Sequence, residues 1–169
     1  MKKNNIKLLI VMSVLLLFGA ACSANIEEEK MTAIDSAKNI FMKGSQEPNK
    51  KSGDTSFFMP SGYEIKKSEE YNILLEKQDN PVIIFINPNE ADDSDLISRQ
   101  IEKNKDEYIA FDIFEEQNRV GFVTIKEISE EEYEITTGVG GVKVTAQTEV
   151  EQLSEYAEEM MRIATSIKQ

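Results

Sequence analysis

The chain has no histidine and no tryptophan, and only one cysteine among its 169 residues. Without histidine, Ser-His-Asp triads, Cys-His pairs and histidine-ligated metal sites are all excluded. Without a second cysteine, no disulfide can form within the chain, so its stability must come from packing. The lack of tryptophan also removes the aromatic platform on which a sugar ring could stack. These absences exclude several of the commonest kinds of enzyme site.

Phosphate-binding loops are absent as well. Neither G-x-x-x-x-G-K-[ST] nor G-x-G-x-x-G follows a predicted strand. The one glycine cluster contains Gly138, Gly140 and Gly141, and the alternating residues on both sides of it predict a hairpin turn that needs positive φ angles. We therefore predict no nucleotide cofactor from this cluster.

The chain is strongly acidic, with a formal net charge of −12. The first 21 residues hold three lysines and no acidic residue, so the remainder carries −15. A domain of this charge repels the phosphates of nucleic acids and anionic lipid head groups. The charge predicts a soluble body that does not bind nucleic acid.

Acidic residues are too common to identify a catalytic pair. Adjacent glutamates occur at Glu69/Glu70, Glu115/Glu116, Glu130/Glu131/Glu132 and Glu158/Glu159. Glycoside hydrolases use two carboxylates across a cleft, but nothing in this pattern singles out two of these. We keep carboxylate-based hydrolysis as a third hypothesis, nominate no catalytic residue, and predict that the protein is not an enzyme.

One loop contains several oxygen-bearing side chains of the kind that bind calcium. They are Asn87, Asn89, Glu90, Asp92, Asp93 and Asp95. Their spacing differs from that of an EF-hand loop, and the glycine of its sharp turn is missing. A solvated loop, with acidic groups near the start of the following helix, explains the pattern better. We predict no metal site and no cofactor.

The N-terminus has the composition of a secretory signal peptide. Lys2, Lys3 and Lys7 precede an apolar run over residues 8–18, and Gly19-Ala20-Ala21-Cys22 follows. The run is shorter than the roughly 20 residues of a transmembrane helix. Residues 1–21 are therefore predicted to be a signal peptide that is removed at Cys22.

The end of this segment resembles a bacterial lipoprotein lipobox. Ala20 and Ala21 fit that pattern, whereas Gly19 stands where the family usually has a large aliphatic residue. The resemblance implies that the Cys22 thiol receives a diacylglycerol and becomes the new N-terminus, with fatty acyl chains such as palmitate. Two chains hold a protein firmly on a membrane. We therefore expect a lipid anchor at Cys22 on the extracytoplasmic face of the cell membrane.

The next segment, residues 22–55, contains a predicted helix and a loop. Ile34, Ala37 and Phe41 follow helical spacing within a helix over about 26–42, and Gly44 can end it. Residues 45–54 are rich in turn-forming residues and predict a loop or flexible linker. The pattern leaves open whether the helix belongs to the domain or spaces it from the membrane.

Residues 56–169 alternate as β-strands do, with two interspersed helices. Strands are predicted near 57, 63–65, 71–75, 82–86, 108–114, 121–128, 133–137 and 142–148, with turns at 79–81 and 117–119. Ser94 is predicted to cap a helix reaching about Lys105, with Leu96, Ile97 and Ile101 buried. Thr148 and Glu151 form a capping box for the last helix. Its predicted buried stripe is Val150, Leu153, Ala157, Met160, Ala164 and Ile167.

These patterns predict one α+β domain: a twisted antiparallel sheet of five to seven strands with the C-terminal helix packed on one face. Two strands, 82–86 and 108–114, are apolar on both faces. Their second face is either covered by a helix, which we favour, or left open as a groove for a peptide, a lipid or a protein.

The order of elements resembles a PsbP-like domain. Phe57-Phe58-Met59-Pro60-Ser61-Gly62-Tyr63 matches the Phe-x-x-Pro-x-Gly-Tyr/Trp opening of bacterial lipoproteins in that superfamily. Ile163-Ala164-Thr165-Ser166-Ile167 resembles the ending of uncharacterised Gram-positive lipoproteins. The resemblance implies an accessory or binding role without catalysis. We therefore expect a binding module for a protein or a small apolar ligand, the alternative being a structural or assembly accessory of a cell-envelope complex.

Overall fold

The computed structural model describes residues 26–168, so the predicted signal peptide and Cys22 lie outside the described residues. The α-helices of the described part are α1 (Ile26–Lys43), α2 (Leu96–Lys103) and α3 (Leu153–Ser166). Its strands are β1 (Lys50–Ser52), β2 (Thr55–Phe57), β3 (Tyr63–Ser68), β4 (Asn72–Lys77), β5 (Asn80–Ile86), β6 (Ala110–Glu116), β7 (Arg119–Glu127), β8 (Tyr133–Val139) and β9 (Val142–Thr148). No helix within residues 26–168 has the length and apolar character needed to cross a bilayer.

Seven of the strands form one antiparallel sheet in the order β3-β4-β5-β9-β8-β7-β6. After β5, the chain passes through α2 to the far edge of the sheet, and three successive hairpins then return it to the side of β5. Strands β1 and β2 form a separate hairpin, although Lys50–Ser52 lies in the segment predicted to be a loop. The predicted α+β class is confirmed, with the sheet at the upper end of the expected size.

One face of the sheet is covered by α1 and α3, which pack side by side. From α1, Ala33, Ala37 and Phe41 are fully buried. Gly121 of β7 makes room for the Phe41 ring, because a Cβ atom at this position would lie 2.6 Å from the ring. Helix α1 therefore belongs to the same core as residues 56–168 and is not a detached spacer.

The last helix buries the predicted stripe but begins later than predicted. Leu153, Ala157, Met160 and Ala164 are all buried. The capping box is wrong: residues 150–152 form a 3₁₀ turn, and α3 starts at Leu153 with Gln152 at its N-cap. The Thr148 hydroxyl closes this turn by donating to Gln152 Oε1 over 3.1 Å. The Thr148 side chain therefore forms its hydrogen bond within the turn and does not cap the helix, and Thr148 is the last residue of β9.

Helix α2 is shorter and less buried than the sequence predicted. It ends at Lys103, and Asp95 occupies the N-cap position that was predicted for Ser94. The Ser94 hydroxyl donates instead to the Glu90 carboxylate. Ile101 is buried as predicted, but Leu96 is 41% exposed because it lies in the first turn, beyond the edge of the contact with the sheet.

The hairpin turns are tight. Gln117 and Asn118 have φ angles of 49° and 62°, which is the pair of positive values that a two-residue turn requires. Gln78 and Asp79 do the same between β4 and β5, at 51° and 65°. This second turn lies one residue earlier than predicted, because Asn80 and Pro81 already belong to β5.

Candidate functional site

The candidate site lies on the second face of the sheet, opposite α1 and α3. Successive strand residues point to opposite faces. Buried residues such as Ile84 and Val144, which pair across strands, lie on the first face, the one covered by α1 and α3. The residues next to them in sequence lie on the second face. The strand register aligns the second-face residues in two parallel rows that cross the sheet.

The two rows differ in chemistry. The first row joins Leu74, Ile83, Thr145, Thr136, Thr124 and Phe111. The second row joins Asn72, Phe85, Lys143, Gly138, Phe122 and Ile113. The first row is apolar at both ends with three threonines between, whereas the second row begins with Asn72 and has Lys143 and Gly138 between two phenylalanines. The centre of the second face is therefore a stripe of three threonines beside one lysine.

Helix α2 covers only part of this face. It packs on the β7 side, where Phe122 is 1% and Ile101 is 4% exposed. An eight-residue helix is about 12 Å long, whereas seven strands spaced about 4.8 Å apart span about 29 Å. The helix therefore cannot reach β5, where Ile83 remains 48% and Phe85 37% exposed. The expectation that helices cover the second face of the 82–86 strand is wrong.

A cleft of about 330 Å³ runs between α2 and the exposed part of the sheet. Its walls include Ile97 and Ile101 of α2 and the Tyr108 ring, and its floor is the threonine stripe. Two of the floor hydroxyls, those of Thr136 and Thr145, share a hydrogen bond of 2.9 Å. The cleft thus has a floor of hydroxyl groups and walls that also include the polar Gln100, Asn104 and Glu134.

Lys143 stands at the centre of the second face with an unusual environment. Its Nζ lies 5.2 Å from the centre of the Phe85 ring, and its side chain lines the cleft. Within residues 26–168, no carboxylate is in ion-pair distance of this amine. Other lysines of the sheet have such partners: Lys66 with Glu76 at 2.7 Å, and Lys126 with Glu107 at 3.3 Å. Lys143 is therefore a cation whose charge is met only by an aromatic ring.

A second polar cluster lies on the helix-covered face, around Lys77. The Lys77 amine binds Glu155 at 2.5 Å and Glu159 at 2.6 Å, and it lies about 5 Å from the Tyr63 and Tyr156 ring centres. Burial acts to lower the pKa of Lys77, but the two carboxylates outweigh it and raise that pKa. Burial, followed by Glu159, also raises the pKa of the Tyr63 hydroxyl beyond its ordinary range.

This cluster borders a polar cleft of about 520 Å³ lined by Asn80, Tyr156 and the acidic Glu131 and Glu132. Its cation is already paired with two carboxylates and enclosed by two aromatic rings, so its charge is neutralised within the protein. We therefore assign the Lys77 cluster to stability, and the second face remains the better candidate for binding.

The side chains considered for a calcium site form hydrogen bonds and ion pairs with other groups of the protein. Asp93 accepts a hydrogen bond from Asn118 at 3.0 Å, Asp95 pairs with Arg99 at 2.8 Å, and Asn87 accepts from the Asn89 backbone. In the described part of the chain, no three acidic residues are grouped closely enough to hold a metal ion.

The adjacent glutamates are dispersed over the surface and do not face one another across a cleft. Glu69 pairs with Lys67, Glu158 with Arg162 and Glu159 with Lys77. Each of these carboxylates has a basic partner close in the fold. The structure therefore gives no reason to nominate a catalytic pair among them.

The centre of the second face was missed by sequence reasoning. The alternation Val142-Lys143-Val144-Thr145-Ala146 shows that Lys143 and Thr145 share a face. Only the register of β9 with β8 and β5 shows that they lie between Thr136 and the exposed Ile83 and Phe85. The alternation within each strand shows which residues share a face, but only the pairing of the strands shows that these residues lie together as a site.

Comparisons with known proteins give a limited result. No protein-family model matches the chain, and a search of curated proteins finds no match. Among solved structures, the chain is similar to a cyanobacterial PsbP protein, CyanoP from Synechocystis sp. PCC 6803. The identity is 12% and the TM-score 0.41, over 68% of this chain and 85% of that one.

A Bacteroides thetaiotaomicron protein is similar at 14% identity and a TM-score of 0.38, over 68% of this chain and 44% of that one. TM-scores below 0.5 at such identities establish neither a family nor a function for this chain.

Proposed function

We propose that this protein is a membrane-anchored extracytoplasmic lipoprotein that holds a partner on the second face of its sheet without catalysing a reaction. The observation that carries the proposal is the exposure of Ile83 and Phe85 side by side in a strand whose other face is completely buried. Exposed apolar groups of this kind, next to polar ones, are typical of interaction sites.

A protein partner fits this surface better than a small apolar ligand does. Small ligands bind in concave sites that bury most of their surface. Here the apolar side chains of Ile83 and Phe85 stand on an open sheet, and the neighbouring cleft has a hydroxyl floor. A flat protein surface can cover both without having to enter a closed cavity.

The proposed anchor at Cys22 places constraints on where the partner can be. Ile26, the first residue of α1, follows Cys22 by four positions. A chain of that length spans about 14 Å at most. Because α1 is packed into the core, the whole domain would be held close to the membrane. The partner is therefore expected at or near the membrane surface.

A photo-crosslinking amino acid at position 83 tests the binding face in intact cells. We expect a discrete adduct with an envelope protein. The matched control is the same amino acid at Met31, which is 56% exposed but lies on α1, on the opposite side of the sheet. Identical adducts from both positions, or none from position 83, would overturn the proposed face.

The anchor is tested separately by Cys22→Ser. We expect this variant to lose acylation and to accumulate as precursor or in the wrong compartment, as measured by mass spectrometry and fractionation. An unmodified Cys22 thiol in wild-type protein purified from membranes would contradict lipidation.

The alternative function is that of a structural or assembly accessory of an envelope complex. It shares the exposed second face and differs in how the partner is held. An accessory of this kind would give an adduct with one constant subunit, in an amount that follows the abundance of the complex. A binding module would give an adduct that a soluble competitor removes.

A further inference from the structure

The centre of the second face shows which chemistry the partner must present. Lys143 is half-buried, lies over the Phe85 ring, and has no carboxylate within ion-pair distance among residues 26–168. A cation–π contact at a partly exposed site is weaker than pairing with a carboxylate. The amine keeps unused hydrogen-bonding capacity on a surface that a partner would dehydrate.

The groups around the Lys143 amine favour binding of an anion. Several groups next to Lys143 on the second face are neutral: the hydroxyls of Thr136 and Thr145 in the neighbouring row, and Gly138 beside it. Glu90 packs against Gly141, two residues before Lys143, but its carboxylate accepts a hydrogen bond from Ser94. Glu134 lines the same cleft but pairs in the sheet with Gln147, two rows away from the row of Lys143. A carboxylate brought to Lys143 would therefore meet a cation and hydroxyl donors.

Apolar groups enclose this polar centre on both sides. Ile83 and Phe85 lie on the β5 side, and the cleft walls Ile97 and Tyr108 lie on the α2 side. We infer that the partner is a protein segment that presents an aspartate or glutamate between apolar side chains, with its carboxylate at Lys143 Nζ and its apolar groups on Ile83 and Phe85. This inference rests on the proposed function, because it assumes that the second face is the binding face.

The β3 edge of the sheet offers no equivalent site. The β3 edge is interrupted by a bulge at Ile65 and Lys67, and its lysines are engaged with Glu69, Glu64 and Glu76. Bulges and lysines are the features by which edge strands avoid pairing with another chain. The charge complementarity thus points to the centre of the second face and not to its margin.

A peptide-display selection against the full chain in detergent tests this inference, with a random peptide library as the probe. We expect the selected peptides to be enriched in an acidic residue flanked by apolar residues. Synthetic copies of them should bind about tenfold more weakly to Lys143→Met, which keeps the apolar stem and removes the charge. Lys143→Arg should retain binding, and added salt should weaken it.

Lys126→Met is the matched control, because this lysine lies on the same face but already pairs with Glu107. Its effect on binding should be small. Selected peptides without acidic enrichment, or equal affinities for wild type and Lys143→Met, would overturn the inference. Octanoate binding that depended on Lys143 while no peptide bound would show a small amphiphile instead and would also overturn it.

Ile83→Asp separates this inference from the proposed function. If Ile83→Asp abolishes peptide binding while Lys143→Met does not, the second face is the binding face but the charge assignment fails. If selected peptides bind both variants as they bind wild type, the proposed face and the carboxylate inference both fail.

Discussion

The two faces of the sheet are made from the same strands but have opposite uses. In β5, Val82, Ile84 and Ile86 lie under the helices with at most 2% exposure, while Ile83 and Phe85 alternate with them and remain open. In β9, Val144 is fully buried, while its neighbours Lys143 and Thr145 lie on the second face. The period of two along each strand keeps the two sets of residues apart.

This difference separates stability from recognition. The first face is filled by aliphatic and aromatic side chains of α1, α3 and the sheet, and this burial is the main favourable contribution to folding. The second face has threonines, a glycine and a lysine at its centre, which contribute little apolar burial. Residues there can serve a partner without weakening the core. The following predictions test this separation.

The largest expected effect is the difference in the free energy of unfolding that is lost when two adjacent isoleucines of one strand are each changed to alanine. Ile84 is fully buried on the first face, so Ile84→Ala should lower the free energy of unfolding by about 2–5 kcal/mol. Ile83 is 48% exposed on the second face, so Ile83→Ala should cost less than about 1 kcal/mol. Urea denaturation of both variants measures the difference. Equal losses would show that the second face is part of the core.

A smaller effect is expected from the polar cluster at the margin of the first face. Lys77→Met leaves Glu155 and Glu159, the latter also bonded to the Tyr63 hydroxyl, without their cation and should cost about 1.5–3 kcal/mol. The same change at Lys66, whose amine is exposed between Glu64 and Glu76, should have little effect on unfolding. A negligible loss at Lys77 would show that the cluster is not required for stability.

The cluster also predicts how stability depends on pH. Folding raises the pKa of both Lys77 and Tyr63, so both groups hold their protons more tightly in the folded state. Their contribution is fully present below the unfolded pKa values of about 10 and is lost as the pH rises above them. The free energy of unfolding should therefore fall above about pH 10, and more steeply in wild type than in Lys77→Met. A parallel pH profile for the two proteins would contradict this assignment.

What the sequence predicts well is local. The helical stripe of α3, the length of α1 and the hairpin at Gln117 and Asn118 each follow from residues within a few positions of one another. Periodicity and turn chemistry are sufficient there because neighbouring residues determine the geometry. The antiparallel pairing of the strands from β7 to β9 follows for the same reason, since each pair is closed by a short turn.

What the sequence could not predict depends on distant contacts. Lys77 meets Glu155 and Glu159 across 78 and 82 positions of sequence, so its burial is invisible in the local pattern. Ser94 and Thr148 are not the N-cap residues, because Asp95 and Gln152 occupy those positions. The Ser94 hydroxyl donates to Glu90 and accepts from the Leu96 backbone over 3.4 Å, and the Thr148 hydroxyl donates to Gln152. The extent of the uncovered second face followed from the length of α2 and from where it docks, and neither is encoded in the strands themselves.

The smallest expected effect concerns α2, the only cover of the second face among the described elements. Its eight residues bury only Ser98 and Ile101, and the side chain of its N-cap residue Asp95 accepts no hydrogen bond from the helix backbone. An element held this weakly opens locally while the rest stays folded, so a mutation in it cannot cost more than its own docking free energy. Ile101→Ala should therefore lower the free energy of unfolding by less than about 2 kcal/mol, below the range expected at Ile84. Amide hydrogen exchange should accelerate in α2 and remain slow in α3. A loss as large as that of Ile84→Ala, with uniform exchange, would mean that the two faces unfold as one unit.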